Sequence, residues 1–112
     1  MWSLDGTSGA LHERVAASIR RAISSGELPP GAALPTAKEL AGSLGVNANT
    51  ILRAFAVLSD EGLIDVRRRR GAVVTARADR ARLIELADAL LDEAARLGIT
   101  RGELTLLLAR RS

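Results

Sequence analysis

Three side chains between residues 47 and 53 are suited to hydrogen bonding with the edges of nucleic-acid bases. Asn47 and Asn49 carry carboxamides, which donate and accept in one plane as adenine requires. Arg53 carries a guanidinium, which can bind guanine or phosphate. A run of four arginines follows at residues 67–70. Such a set of groups predicts a polyanionic partner.

Basic residues are unevenly placed along the 112-residue chain, which carries 16 lysines and arginines against 13 aspartates and glutamates. Residues 1–78 hold ten basic and seven acidic side chains, whereas residues 79–112 hold six of each. Lys38 lies in a stretch, residues 36–58, whose only acid is Glu39. The basic excess therefore coincides with the candidate binding residues.

Groups that catalysis or metal binding needs are missing from the sequence. The chain has no cysteine, and His12 is its only histidine, so it offers neither a thiolate site nor a histidine triad. The phosphate-loop patterns GxGxxG and GxxxxGK do not occur. Trp2 and Phe55 are the only aromatic residues, too few to stack single-stranded nucleic acid. We predict a protein that is not an enzyme and uses no cofactor and no metal.

The length suits one domain, or one domain with a short appendage. No apolar run approaches a membrane span, and the N-terminus lacks the basic and apolar regions of a signal peptide. We therefore expect a cytoplasmic protein with no membrane partner.

Apolar residues at helical spacing predict two helices in the first 45 residues. The first begins near Leu11 and is closed by Gly26, and a connector containing all three prolines follows. Thr36 and Glu39 can form a capping box, in which each side chain accepts a hydrogen bond from the other residue's backbone amide. The second helix begins there and stops at Gly45, where a sharp turn needs a residue without a side chain.

A third helix is predicted between the N-cap residue Asn47 and Gly62. Asn49, Thr50 and Arg53 fall on its outer face or edges, because its buried face consists of Ile51, Ala54, Phe55 and Leu58. Helix two, the turn and helix three form a helix-turn-helix, which places the third helix in the DNA major groove. In the alternative interpretation the two helices are an ordinary packed pair, and Asn47 is only a cap.

The spacing then changes to that of a β-hairpin. Apolar residues from Leu63 to Val66 precede the arginine run and Gly71, and a second apolar segment ends at Thr75. A helix-turn-helix followed by such a hairpin is a winged helix, in which Arg68 and Arg70 would meet phosphate or a narrow minor groove. The alternative for the arginine run is a solvated turn.

Leucines at helical spacing dominate residues 79–112. A long helix after Asp79 ends at Gly98, and a capping box of Thr100 and Glu103 opens a short last helix. The apolar residues of these two helices are Leu83, Leu86, Leu90, Leu91, Ala94, Leu97, Leu104, Leu107 and Leu108. The last three should lie on the inner side of the last helix. They form more apolar surface than one short helix can cover, so we expect two copies to meet there.

The predicted fold is therefore mainly α with a small β-hairpin. Residues 1–78 form a winged helix-turn-helix DNA-binding domain, and residues 79–112 form a two-helix dimerisation segment. Two copies related by a two-fold axis would recognise an inverted repeat in double-stranded DNA.

The segment from LHERVAASIRRAISSGELPPGAALPTAKELA to DEGLIDVRRRRGAVVT, roughly residues 11–75, resembles the DNA-binding domain of GntR-family transcription regulators. The motifs GVNANTILRAF and LADALLDEAARLGITRGEL are similar to those of the YtrA-like subgroup. The resemblance implies DNA contacts from Thr36, Lys38, Asn47, Asn49, Thr50, Arg53 and the wing around Arg70 and Gly71.

The chain departs from the family pattern at several of these positions. Lys38 stands where arginine is usual, Ala48 and Leu52 stand where many members carry arginine, and Arg69 stands where a wing glycine is common. Base recognition therefore cannot be copied from other members.

The resemblance implies a homodimeric repressor, and its YtrA-like part implies control of a nearby transporter operon. About 34 residues follow the wing, too few to enclose a metabolite unless a pocket forms between subunits, so no effector is assigned. The alternative function is a winged-helix module that binds protein. Exposed Asn49 and Arg53 favour DNA, whereas an apolar outer face of helix three would favour protein.

Overall fold

The computed structural model describes residues 10–67, 71–75, 77 and 79–111. Its elements in chain order are α1 (Leu11–Ser24), α2 (Ala37–Leu44), α3 (Ala48–Asp60), β1 (Ile64–Arg67), β2 (Gly71–Val74), α4 (Arg80–Arg96) and α5 (Arg101–Arg111). The predicted mainly α fold, with a winged helix-turn-helix and two C-terminal helices, is confirmed. The chain divides into two compact units, Met1–Arg82 and Leu83–Ser112.

Both predicted capping boxes are present. The Thr36 hydroxyl accepts from the Glu39 backbone N–H at 3.1 Å, and the Glu39 carboxylate accepts from the Thr36 N–H at 2.9 Å. At α5 the Thr100 hydroxyl and the Glu103 carboxylate exchange the corresponding bonds, both at 3.2 Å. Each box satisfies backbone donors that a helix N-terminus otherwise leaves unpaired, which fixes where the helix begins.

The core of the first unit lies where α3 packs on α1, α2 and β1. Its largest fully buried side chains are Ile19, Leu40, Ile51, Leu58, Leu63 and Val15. The apolar face predicted for α3 is buried as expected. Each buried leucine or isoleucine contributes about 1.5–3 kcal/mol through the hydrophobic effect, so α3 is held firmly in one orientation.

A buried ion pair joins α1 to the end of α3. The Arg20 Nε lies 3.1 Å from Glu61 Oε1, and the Arg20 Nη2 lies 2.9 Å from each carboxylate oxygen. The Arg20 side chain is 7% exposed and that of Glu61 is 24% exposed. Paired guanidinium bonds of this kind fix geometry as well as distance, so the pair sets the position of the C-terminal end of α3.

The wing is a two-stranded antiparallel sheet in which Ile64 pairs with Val74 and Arg67 pairs with Gly71. The proline-containing connector, predicted as turns, also pairs with the free edge of β2. Leu34 N–H donates to the Ala72 carbonyl at 2.9 Å, and Val74 N–H donates to the Ala32 carbonyl at 2.8 Å. The connector therefore ties the wing to the segment that leads into α2.

The second unit contains most of α4 and all of α5, joined by residues 97–100. Gly98 adopts the left-handed conformation, with φ 75°, where α4 ends, and the Ile99 N–H donates to the Ala94 carbonyl at 2.8 Å. Ala94 and Leu104 are buried. The expectation that Leu107 and Leu108 lie inside is wrong for a single chain, because they are 46% and 47% exposed.

Candidate nucleic-acid interface

A tight turn sets the angle between α2 and α3. Gly45 has φ 69° and ψ 34°, a left-handed conformation that suits glycine because it has no Cβ. The Val46 N–H donates back to the Ala41 carbonyl at 3.1 Å, which closes the end of α2. Leu40 and Ile51 are fully buried on either side of this turn. The arrangement is the helix-turn-helix that the sequence predicts.

The outer face of α3 presents two of the predicted base-contacting side chains. Asn49 and Arg53 are exposed, whereas Thr50 is half-buried at the edge of the helix. Ile51 and Ala54, the neighbours of these residues in sequence, are 0% exposed. Because the buried side fixes the helix, Asn49 and Arg53 are displayed on a rigid support, as a reader of base edges requires.

Asn47 caps α3. Its side-chain oxygen Oδ1 accepts from the Asn49 backbone N–H at 2.7 Å. The cap uses the oxygen of the exposed carboxamide, and the amide nitrogen is still a donor that a base or phosphate can accept. The predicted N-cap role of Asn47 is therefore confirmed, and this role leaves the amide nitrogen of the side chain available for a DNA contact.

The start of α2 places Thr36 and Lys38 beside each other on the surface, both exposed. Glu39 lies next to them, and hydrogen bonds from the Thr36 backbone and hydroxyl hold the pKa of its carboxyl below the usual range. The carboxylate is thus charged at neutral pH and engaged in the cap. Lys38 is the cation at this helix N-terminus, a place where backbone amides favour phosphate.

The described part of the wing adds one cation and one acid. Arg67 lies at the end of β1, with its Nε 3.2 Å from Asp65 Oδ2, and both side chains are more than half exposed. Gly71 opens β2 with φ 73° and is half-buried. The predicted contacts Arg68 and Arg70 lie outside the described residues.

The sequence analysis did not predict the pairing of Asp65 with Arg67 or the exposure of Leu52. Asp65 and Arg67 are two residues apart on one strand and so share a face, a spacing that could have revealed their pairing. Leu52 is 52% exposed on α3. Its position outside the series 51, 54, 55 and 58 indicates this exposure from helical spacing alone.

The family model described as bacterial regulatory proteins, gntR family, matches residues 11–74. The chain belongs to the GntR family. Over 72 residues this GntR-family chain is 31% identical to the HTH-type transcriptional repressor YtrA of Bacillus subtilis strain 168, a match covering 64% of the chain and 55% of that protein. The chain spans about half or less of the length of the curated relatives it matches.

Similarity to solved structures agrees with the assignment of this chain to the GntR family. YtrA from Sulfolobus acidocaldarius, a GntR-family transcription factor, is 36% identical with a TM-score of 0.60, covering 80% of this chain and 95% of that one. The DNA-binding domain of AraR in complex with operator ORX1 is 26% identical with a TM-score of 0.61, covering 65% and 94%. The predicted YtrA-like resemblance is confirmed.

The described residues contain neither a membrane-spanning helix nor a metal-binding cluster. No helix among them is long and apolar enough to cross a membrane. No group of three or more histidine, cysteine, aspartate or glutamate side chains among them could hold a metal ion.

Proposed function

We propose that the chain is a sequence-specific, double-stranded DNA-binding transcription regulator that reads its operator with α3 in the major groove. The observation that carries this proposal is the division of α3 into two faces. One face is buried against α1 and α2, and the other exposes Asn49 and Arg53 directly after a helix-turn-helix turn. Asn49 is suited to adenine, and Arg53 is suited to guanine or phosphate.

The remaining contacts that we propose position the protein on the DNA backbone. Thr36 and Lys38 lie at the N-terminus of α2, with Asn47 and Thr50 at the start of α3. From the sequence we also propose that Arg68 and Arg70, together with Gly71 at the start of β2, meet phosphate or the minor groove. Phosphate contacts carry affinity but little sequence information, so the operator sequence depends mainly on α3.

We also propose that two copies bind together through the second unit. Three leucines of α4 are exposed, Leu83 (65%), Leu86 (49%) and Leu90 (39%), as is Leu97 (58%) directly after it. Their spacings of three, four and seven residues are those of a helix-packing seam. A two-fold dimer would present two copies of α3 to an inverted repeat.

Such a dimer covers the DNA to which it is bound, and we propose repression as its effect. The name of the relative in Bacillus subtilis describes that protein as a repressor. From the YtrA-like resemblance alone, we propose a transporter operon as the regulated target. Because a transcription regulator acts on chromosomal DNA, we propose the cytoplasm as the place of action.

Selection of duplexes from a random pool with the purified protein, followed by sequencing, tests this function. We expect enrichment of an inverted repeat whose half-sites lie about 34 Å apart, one turn of duplex, or a multiple of it. A pool without any enriched sequence would contradict the proposal and favour a winged-helix module that binds protein.

A further inference from the structure

An apolar strip runs along the outer face of α3, beside the polar residues. Ala48, Leu52 and Ala56 are all exposed and recur every four residues, so they share one side of the helix. Leu52 is the large member, with 52% of its surface exposed. Asn49 and Arg53 border the strip and are also exposed. The strip therefore lies within the face proposed to enter the groove.

The surroundings of this strip define what can cover it. A stable protein interface buries on the order of 800 Å² on each partner, far more than one leucine and two alanines provide. The exposed cations Arg53, on the same helix, and Lys38, near the start of α2, favour a polyanion instead. The apolar group that a major groove displays is the 5-methyl of thymine.

We propose that Leu52, with Ala48 one turn before it, determines specificity by packing on thymine 5-methyl groups in each half-site. Asn49 and Arg53 hydrogen bond to polar base edges or phosphate on the adjacent bases. This inference rests on the proposed function, because it assumes that α3 enters the major groove. A contact with thymine explains why a leucine stands at position 52, where its side chain is exposed and adds little to the core.

The test replaces each thymine of the selected duplex, one at a time, by deoxyuridine, which keeps the base-pairing groups and lacks the methyl. Affinity is measured at one fixed salt concentration with the full chain. We expect about a fourfold loss at one or two thymines of each half-site, the factor corresponding to one buried methyl group. Substitution at the other thymines should change affinity less than twofold.

The Leu52→Ala variant links this effect to the side chain. It should bind the thymine duplex about four- to tenfold more weakly, and it should no longer distinguish thymine from uracil at those positions. Leu52 is exposed and alanine favours helix, so the variant is expected to fold. Leu11→Ala is the matched control, because Leu11 is 40% exposed on α1 outside the proposed interface, and it should keep the full fourfold discrimination.

The outcomes separate the two proposals. A selected inverted repeat with no uracil-sensitive thymine overturns the role of Leu52 and leaves the proposed function intact. The role of Leu52 is also overturned if the Leu52→Ala variant still distinguishes thymine from uracil as well as the unmodified chain does. It is likewise overturned if this variant binds the thymine duplex with unchanged affinity. Failure to select any duplex overturns both proposals.

Discussion

Asn47 and Asn49 lie two residues apart and carry the same side chain, yet their local surroundings differ. The Asn47 carboxamide oxygen accepts the Asn49 backbone N–H, so this side chain has a structural task. The Asn49 side chain is exposed and has no capping position to explain it. The sequence alone distinguishes the roles of Asn47 and Asn49 only partly, because a residue that caps a helix can also contact DNA.

Asn49→Ala should therefore weaken binding to the selected operator by about 1–3 kcal/mol, the range for a base contact, and weaken binding to random duplex far less. Titration of both duplexes at equal salt measures the difference. Ser59→Ala, at an exposed polar position near the other end of α3, is the control and should leave both affinities unchanged. Equal losses on the two duplexes would show that Asn49 does not read bases.

Asp65 is the acid nearest to the cation of the described wing, and it holds Arg67 at 3.2 Å. Both groups are well exposed, so this pair contributes little to folding. Asp65→Asn should raise affinity for any duplex severalfold at low salt, because it removes a negative charge and releases Arg67 for phosphate. The slope of log affinity against log salt should steepen by about one unit.

Asp92→Asn, which changes the net charge equally in the second unit, is the control for Asp65→Asn. An identical rise in affinity for both variants would mean that net charge alone acts. A rise confined to Asp65→Asn supports a wing that contacts the DNA backbone.

At the scale of elements, the ion pair between Arg20 and Glu61 holds α1 and the end of α3 together. Glu61→Ala should lower the free energy of unfolding by about 1.5–3 kcal/mol, because it removes the carboxylate that accepts hydrogen bonds from a guanidinium that is 7% exposed. Urea unfolding of the full chain measures this loss. Glu61→Gln keeps one acceptor and should cost less.

Glu27→Ala, at an exposed position of the connector, is the matched control and should change stability by no more than about 0.5 kcal/mol. A loss below about 1 kcal/mol for Glu61→Ala would mean that the pair behaves like a surface ion pair and does not fix α3.

The helices were predictable because their signals are local. The capping pair Thr36 and Glu39 and the apolar periodicity of α3 depend on residues at most a few turns apart, and the structure contains both. The Arg20 and Glu61 pair was not predictable, because 41 residues separate its partners. The pairing of the connector with β2 was missed for a related reason. Prolines predict turns locally, while residues such as Leu34 still donate to a strand distant in sequence.

At the scale of the whole molecule, the two units divide the work that we propose. The first presents α3 and the wing, and the second presents exposed leucines that one chain leaves uncovered. Sequence periodicity predicts that these leucines share one side of the helix. Periodicity does not show which apolar residues of this segment a single chain buries. In the structure Ala94 and Leu104 are buried, whereas Leu107 and Leu108 are exposed.

A dimer held by this surface should separate when charge is placed in it. We expect the intact chain to sediment as a dimer at micromolar concentration, and the double variant with Leu86→Glu and Leu90→Glu to sediment as a monomer. Both leucines are exposed in the single chain, so each unit should still fold. Affinity for the full inverted repeat should fall at least tenfold, because the second half-site no longer benefits from a linked copy.

Leu106→Glu is the matched control. Leu106 is 59% exposed, and because it is two residues from the buried Leu104 it lies on nearly the opposite side of α5. The dimer proposal is wrong if the intact chain sediments as a monomer, or if the double variant remains a dimer with unchanged affinity.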